Sequence, residues 1–277
     1  MAVAKNVSLY QQNFESVQRN GKKDPRWFRE YRVAGMENFL RQGFPGRKDE
    51  EWRFSDFRSL ARTDFGLSAE EGLSFSSEEF SQLQFTDLNC PRLVLFNGTL
   101  CPELCSLPEL DGVTVKTLTA ALRDSPGSLE EHLGQYAEIN QNPFTALNSA
   151  LCKEGFVVHV SRDTVVKSPL YLIHVTTNSN RPIRTHLRNL IVLGESSELT
   201  LVEGYLGTDD NVTFTNPVTE VVVGSNSTVH HYRLQNESRN GYHVSCNEVY
   251  QSRDSQYRAL SLDLGSQLAR NDFRCVL

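Results

Sequence analysis

The chain has 277 residues, of which 39% are hydrophobic and 22% are charged. This composition is typical of a folded globular protein, and the length suffices for about two structural units. The net charge of −6 gives neither the clustered positive charge that nucleic acid requires nor a basic surface for anionic membranes. The charge balance therefore does not predict nucleic-acid binding. No run of 18 apolar residues occurs, so no transmembrane helix is predicted either.

The first residues lack an apolar segment of signal-peptide length, so we predict a cytoplasmic protein. In such a compartment, cysteines are expected as free thiols rather than disulfides. The closest pair, Cys101 and Cys105, has no second pair nearby in the sequence that would complete a tetrahedral zinc site. The remaining cysteines are Cys90, Cys152, Cys246 and Cys275.

The first half of the chain carries helical signals. Apolar residues recur at helical spacing over residues 25–42, with Asp24 as a candidate N-cap before a proline. The aromatic residues of this segment, Trp27, Phe28, Tyr31 and Phe39, favour a core-facing stripe over a partner-binding face. Further predicted elements are a helix near 52–61, an irregular connection at 66–90, a strand at 91–96, and helical stretches at 117–123 and 128–153, the second with a break at Asn142-Pro143.

After Gly155 the pattern changes to short β-rich runs separated by turn residues, which predicts an all-β region. The predicted strands are 156–160, 170–176, 187–193, 198–203, 219–223, 228–234, 242–250 and 256–264.

A weak internal repeat runs through this β-rich region. Residues 192–199 resemble residues 222–229, and a fainter copy lies at 250–257, so that equivalent serines fall 30 and 28 positions apart. Such a repeat indicates a β-helix in which each coil packs on its neighbours. A β-sandwich with similar Gly and Ser turns is the alternative at this level.

Three parts of the chain carry a family resemblance. Residues 43–56 contain a proline, a basic pair and a Glu-Glu-Trp run, and residues 142–151 contain a Phe-x-Ala-Leu-Asn run before the first β-helix strand. Residues 166–175 and 188–194 then follow as two β-rich coils. In order and spacing these segments resemble the SufB/SufD superfamily of iron–sulfur cluster assembly proteins, and the segment around Trp52 favours the SufD branch.

The resemblance implies a mainly β fold, with an N-terminal helical and mixed α+β region at 1–154 and a right-handed parallel β-helix at 155–277. Family members continue beyond the point at which this chain stops. We therefore expect the β-helix to be incomplete, without its final coils and the C-terminal helical domain. An open β-helix end exposes unpaired strand edges, so we also expect self-association.

The resemblance further implies a non-catalytic scaffold subunit that supports a SufB-like subunit and a SufC-like ATPase. No phosphate-binding glycine loop is present in the sequence, in keeping with a separate ATPase. No cofactor is expected to be held firmly, although a transient iron–sulfur cluster or iron at the complex interface is expected. The alternatives are a catalytic β-helix acting on polysaccharide as a lyase or hydrolase, and a hexapeptide-repeat acyltransferase.

No catalytic residue is predicted, and the candidate metal ligands are Cys246 and His231, since thiolate and imidazole suit iron and sulfide cargo. The neighbouring His230 points to the opposite face of its strand and cannot share an ion with His231. The same alternation separates His243 from Cys246.

Overall fold

The computed structural model describes residues 2–67, 75–83, 88–177, 181–208 and 212–277, with side chains from residue 9 onward. The α-helices are α1 (Ala2–Asn20), α2 (Arg26–Gln42), α3 (Arg58–Arg62), α4 (Ser77–Leu83), α5 (Leu118–Asp124), α6 (Pro126–Glu130) and α7 (Pro143–Leu151), and short 3-10 helices span Glu50–Trp52 and Pro102–Leu104. The strands are β1 (Gly66–Leu67), β2 (Arg92–Phe96), β3 (Thr99–Leu100), β4 (Val113–Thr117), β5 (Phe156–Val160), β6 (Leu170–Thr176), β7 (Ile183–Leu193), β8 (Glu198–Gly207), β9 (Thr213–Val223), β10 (Thr228–Asn236), β11 (Tyr242–Gln251), β12 (Gln256–Asp263) and β13 (Leu268–Val276).

The strands form two sheets between which the chain alternates. The first sheet has the order β13-β11-β9-β7-β5-β4, with β1 beside β7, and the second has the order β12-β10-β8-β6-β2-β3. Strands β5 to β13 pair in parallel within each sheet, so each pair of consecutive strands makes one coil of a solenoid. The predicted parallel β-helix is confirmed as a solenoid of about 4 turns. Its right-handed winding stays a prediction.

The sequence repeat marks one stacked corner of the solenoid. Ser196, Asn226 and Asp254 occupy the same corner position with φ of 56°, 59° and 59°. The hydroxyl of Ser227 accepts from the backbone N–H of Ser197 at 3.0 Å, which joins successive corners. These contacts place the repeat in coils stacked on one another and exclude the β-sandwich alternative.

Aliphatic side chains form stacks that run through successive coils of the solenoid interior. Ile191, Val221 and Val249 occupy one register position on β7, β9 and β11, and all three are buried. Leu201 on β8 is paired with Leu170 on β6 in the opposing sheet, and both have no exposed surface. Stacks of this kind give each coil the same apolar cross-section, so neighbouring coils bury each other's faces.

Helices α2 and α7 cover the outer face of the first sheet. Asn142 caps α7, because its side chain accepts from the backbone N–H groups of Phe144 and Thr145 at 2.9 and 3.2 Å. Gly35 on α2 lets the two helices approach closely, since an added Cβ would lie 2.8 Å from the backbone nitrogen of Ala150. The motif helix α7 is thereby buried along its whole length.

Several local predictions are confirmed and others are wrong. The helix at 25–42 is present as α2, and its Phe28 and Phe39 are fully buried, which confirms the core-facing stripe. Asp24 is not the N-cap: Pro25 holds that position, and Asp24 instead pairs with Arg32, whose buried guanidinium needs a counter-charge.

The predicted helix at 52–61 is also wrong, because a non-helical stretch divides it between the 3-10 helix and α3. The predicted helical stretch at 128–153 is divided by a turn region after α6, and α7 begins at Pro143, which confirms the predicted break at Asn142-Pro143. The predicted irregular connection at 66–90 contains α4, and its residues 68–74 and 84–87 lie outside the described residues. Helix α1 was not predicted.

The predicted division at residue 154 stays a prediction. Strand β4, from before that point, pairs antiparallel with β5, and β2 pairs parallel with β6. The N-terminal region therefore contributes a strand to each sheet of the solenoid. No helix in the described part of the chain is long and apolar enough to cross a membrane.

Candidate functional site: a polar cluster inside the solenoid

Polar side chains replace aliphatic ones inside the middle coils. Asn189, Thr219 and Asn247 share one register position on β7, β9 and β11, two residues before the aliphatic stack. All three are buried. Because alternate strand residues share a face, these side chains point into the same interior as the apolar core.

Glu203 on β8 lies at the centre of this polar cluster and has no exposed surface. Its carboxylate accepts from the Asn189 amide at 2.8 Å, the Thr219 hydroxyl at 3.0 Å and the His231 ring at 3.2 Å. Burial alone would raise the pKa of Glu203, but its interactions with His231 and the hydrogen bond from Thr219 lower it to about 2. The solenoid therefore holds an ionised carboxylate in its interior.

His231, one of the two predicted metal ligands, is buried against this carboxylate. With Glu203 ionised, the Nε2–H of His231 donates to it, and Nδ1 accepts from the Tyr257 hydroxyl at 2.6 Å. Burial raises the pKa of Tyr257, which keeps the hydroxyl protonated. Both ring nitrogens are thus engaged, and metal binding by His231 stays a prediction that would require it to exchange one hydrogen bond.

A second buried polar group lies on β10 to β12 and in the loop that follows β10. His243 donates from Nδ1 to the Glu237 carboxylate at 2.6 Å, and its Nε2 accepts from Arg233 at 2.6 Å. Burial lowers the pKa of His243, in agreement with a neutral ring that accepts from a guanidinium. Arg233 also pairs with Asp263 at 2.7 Å, so its charge is balanced.

His174 on β6 differs from the other interior histidines. Its ring stacks on Tyr205 with centroids 5.0 Å apart and lies 4.8 Å from the ring of Phe156. Neither ring nitrogen has a hydrogen-bond partner within the part of the chain that the structure describes. Burial lowers the pKa of His174 to about 4, so the ring is neutral at pH 7 and has a free lone pair.

Cys246, the other predicted ligand, lies on the outer face of the first sheet. It packs against Ala137 and Val218, and its thiol donates to the Glu248 carboxylate at 3.4 Å. Burial raises the pKa of Cys246 to about 12, which favours the thiol over the thiolate. The structure does not bring Cys246 and His231 together, because they lie on different sheets and only His231 faces the interior.

Over the described residues, no three His, Cys, Asp or Glu side chains are arranged to hold a metal ion. The interior cluster instead holds protons at defined atoms: it combines the carboxylates of Glu203 and Glu237 with the rings of His231 and His243, whose two nitrogens each have a hydrogen-bond partner. Sequence reasoning missed Glu203 and Glu237. For Glu203 the available signal was an acidic residue at an inward position of the largely apolar strand β8, whereas Glu237 lies just after β10 and gave no such signal.

The motif residues join the helical region to the solenoid. The side-chain amide of Asn148 on α7 donates to the backbone carbonyls of Leu187 and Asn216, both at 2.8 Å. Arg188 on β7 pairs with Glu220 on β9 at 2.6 Å, and both side chains are fully buried. The residues that carry the family resemblance therefore fix the seam between α7 and the first sheet.

Comparison with known families matches this architecture over nearly the whole chain. Residues 2–172 match the SufBD protein N-terminal region, and residues 174–277 match the SufBD core domain of SUF system FeS cluster assembly. The chain belongs to the SufBD family. This places its solenoid among proteins of iron–sulfur cluster assembly, and the alternative of a β-helix acting on polysaccharide is not favoured.

Relatives of this SufBD protein come from bacteria and plants. An iron–sulfur cluster assembly SufBD family protein of Synechocystis is 29% identical over 83% of this chain and 52% of its own length. SufD of Escherichia coli is 26% identical over 86% of this chain and 53% of its own length. The chloroplastic protein ABCI7 of Arabidopsis thaliana is 26% identical over 87% and 51%. The chain spans about half the length of the curated relatives it matches.

Proposed function

We propose that this chain acts as a SufD-type scaffold subunit in iron–sulfur cluster assembly, without catalytic activity of its own. In this role it supports a SufB-like subunit and a SufC-like ATPase in the cytoplasm while clusters are built and transferred. The observation that carries the proposal is the match of both SufBD models in sequence order, together with motif residues that hold α7 against the solenoid. The segment around Trp52 favours the SufD branch.

Co-expression with the SufB and SufC subunits of the same source, followed by size-exclusion chromatography with light scattering, tests the proposal. We expect a defined complex that contains all three chains. Elution of this chain apart from both partners would contradict the scaffold role. If this chain instead takes the place of SufB in a complex with SufC, the SufD assignment is contradicted and the SufB branch is favoured.

We further propose that iron or a cluster is held only transiently, at an interface of the complex, and that Cys246 or His231 contributes a ligand. Cys246→Ala in the assembled complex should then reduce the rate at which cluster absorbance develops during reconstitution. The matched control is Cys275→Ala, because Cys275 is an exposed cysteine on the last strand. Equal rates for the two variants and the wild-type complex would show that Cys246 is not a cluster ligand. His231→Gln tests the second candidate ligand in the same assay.

A further inference from the structure

Arg184 is a buried cation on the outer face of the first sheet, outside the polar cluster of the solenoid interior. Arg184 on β7 is 1% exposed and lies under α1, with its guanidinium carbon 4.1 Å from the ring centroid of Tyr10. This cation–π contact covers a face of the guanidinium plane. The five N–H groups lie in that plane.

None of the three guanidinium nitrogens of Arg184 has a hydrogen-bond partner among the described residues. An arginine carries five N–H donors and stays protonated in proteins, so burial without partners is costly. Burial lowers the pKa of Arg184, an effect that Tyr10 and Asp64 only partly offset. Asp64 acts on this guanidinium electrostatically, and the structure shows no ion pair between the two among the described residues.

Arg184 lines a cavity of about 30 Å³ between β7 and the end of α7, together with Gly98, Lys153, Glu154 and His186. This volume suffices for one particle of about the size of a water molecule, and it excludes sulfate, phosphate and larger groups. The cavity is separate from the polar cluster inside the solenoid, because Arg184 packs on the outer face of its sheet.

The charges around the cavity sum to a positive potential. Glu154 is engaged elsewhere, since its carboxylate accepts from the backbone N–H groups of Thr119 and Gly155 at 3.0 and 3.2 Å, and burial raises its pKa. His186 is bound through Nδ1 to Asn216 at 2.9 Å, and burial lowers its pKa to about 3, so its ring is neutral. The two cations Arg184 and Lys153 outnumber the single carboxylate of Glu154, so the lining of the cavity carries a net positive charge, although burial and the nearby Arg32 lower the pKa of Lys153.

We propose that this cavity binds one small monovalent anion of about halide size, with the guanidinium of Arg184 as its main ligand and the ammonium of Lys153 as electrostatic support. The anion supplies the acceptor that the buried N–H groups lack and neutralises the charge that burial makes unfavourable. It links β7 to the C-terminal end of α7, so its binding stabilises the seam between the helices and the solenoid.

Bromide is the probe for the test, used with the 277-residue chain at constant ionic strength by replacing sodium gluconate. The melting temperature should rise with bromide and then saturate, as expected for a ligand that binds only the folded state. Bromide-81 resonances should broaden on addition of the protein. Sulfate at the same ionic strength should produce neither effect, because the cavity is too small for it.

Arg184→Gln should abolish both the saturable rise and the line broadening. Lys153→Gln should weaken bromide binding about fivefold, the effect of one unit charge at ~4 Å in water-like surroundings. The matched control is Arg162→Gln, whose guanidinium is 71% exposed in a corner turn and should leave both signals unchanged.

Absence of a saturable bromide effect in the wild-type chain would overturn the proposal and assign the cavity to water. If Arg184→Gln fails to fold, the comparison of Lys153→Gln with Arg162→Gln decides, because Lys153 is exposed enough to replace without unfolding. Equal bromide affinity in those two variants would also overturn it.

Discussion

The buried pair between Arg188 and Glu220 gives the sharpest test of how the helices are held on the solenoid. One oxygen of Glu220 accepts from Arg188 at 2.6 Å and from the backbone N–H of Gly134 at 2.8 Å. The other accepts from the backbone N–H groups of Tyr136 and Ala137, both at 3.0 Å. A single carboxylate thus binds β7 and the loop before α7 to β9.

Glu220→Gln replaces one acceptor oxygen by an NH2 group and leaves Arg188 charged in a site with no exposed surface. The remaining acceptor for Arg188 is the side-chain oxygen of Asn148 at 3.4 Å. Removing one partner of a buried ion pair costs about 3–5 kcal/mol. Loss of two hydrogen bonds to a charged group, at about 1.5–3 kcal/mol each, gives a similar figure.

Arg188→Met should cost less, about 2 kcal/mol, because Glu220 keeps its three backbone N–H donors and remains stabilised as an anion. Urea unfolding followed by far-UV circular dichroism measures both values from the shift in midpoint at constant slope. Glu195→Gln, at a carboxylate that is 50% exposed, is the control and should change stability by less than about 0.5 kcal/mol. A cost for Glu220→Gln below about 1 kcal/mol, or below that of Arg188→Met, would refute the reasoning.

Four further outcomes are expected. Buried His174, whose pKa is lowered to about 4, should contribute roughly 3 kcal/mol to the loss of stability as pH drops from 6.5 to 4, so His174→Phe should lose that much less in the pH dependence of urea midpoints, while His186 keeps its own contribution. The lowered pKa of Glu203, about 2, stabilises the fold above pH 4.5, and this contribution is lost towards pH 2; an unchanged acid profile in Glu203→Gln would contradict it. Gly35→Ala should cost about 1–3 kcal/mol in chemical unfolding by overpacking two helices, whereas Gly127→Ala, with open space around its Cα, should not. Self-association through the last strands should weaken in Phe273→Lys, where a 50%-exposed aromatic becomes charged; light scattering that shows equal association in both chains would exclude this surface.

The sequence pattern predicts the solenoid because its cause is local and repeated. Each coil needs aliphatic residues on alternate positions and a corner that tolerates positive φ, and Asn226 and Asp254 supply residue types that adopt such a conformation readily. The predicted strands therefore coincide with β5 to β12 in order, although several extend further than expected. Strand β7, for example, begins at Ile183, before the predicted start at residue 187.

The helical region was harder to predict because tertiary contacts decide its boundaries. Asp24 has the residue type and position of a helix cap in the sequence, but its carboxylate pairs with the buried guanidinium of Arg32 instead. The segment after Trp52 has apolar residues at helical spacing, yet its Trp52 and Phe57 pack on Phe144 of α7 with ring centroids 5.5 and 4.8 Å apart. Packing on that one ring sets the path of this segment in place of a continuous helix.

The polar cluster could not be located from the sequence, because its members come from different coils. Asn189 and Glu203 are 14 residues apart and His231 follows 28 residues later, so only the stacking of coils makes them neighbours. The same stacking explains why the cluster is stable. His231 meets Glu203, and Thr219 meets Asn189, one coil away at the spacing at which the backbone already pairs, while Asn189 reaches Glu203 across the interior from the facing strand. A change in coil length would therefore break the Glu203 network even if every residue in it were kept.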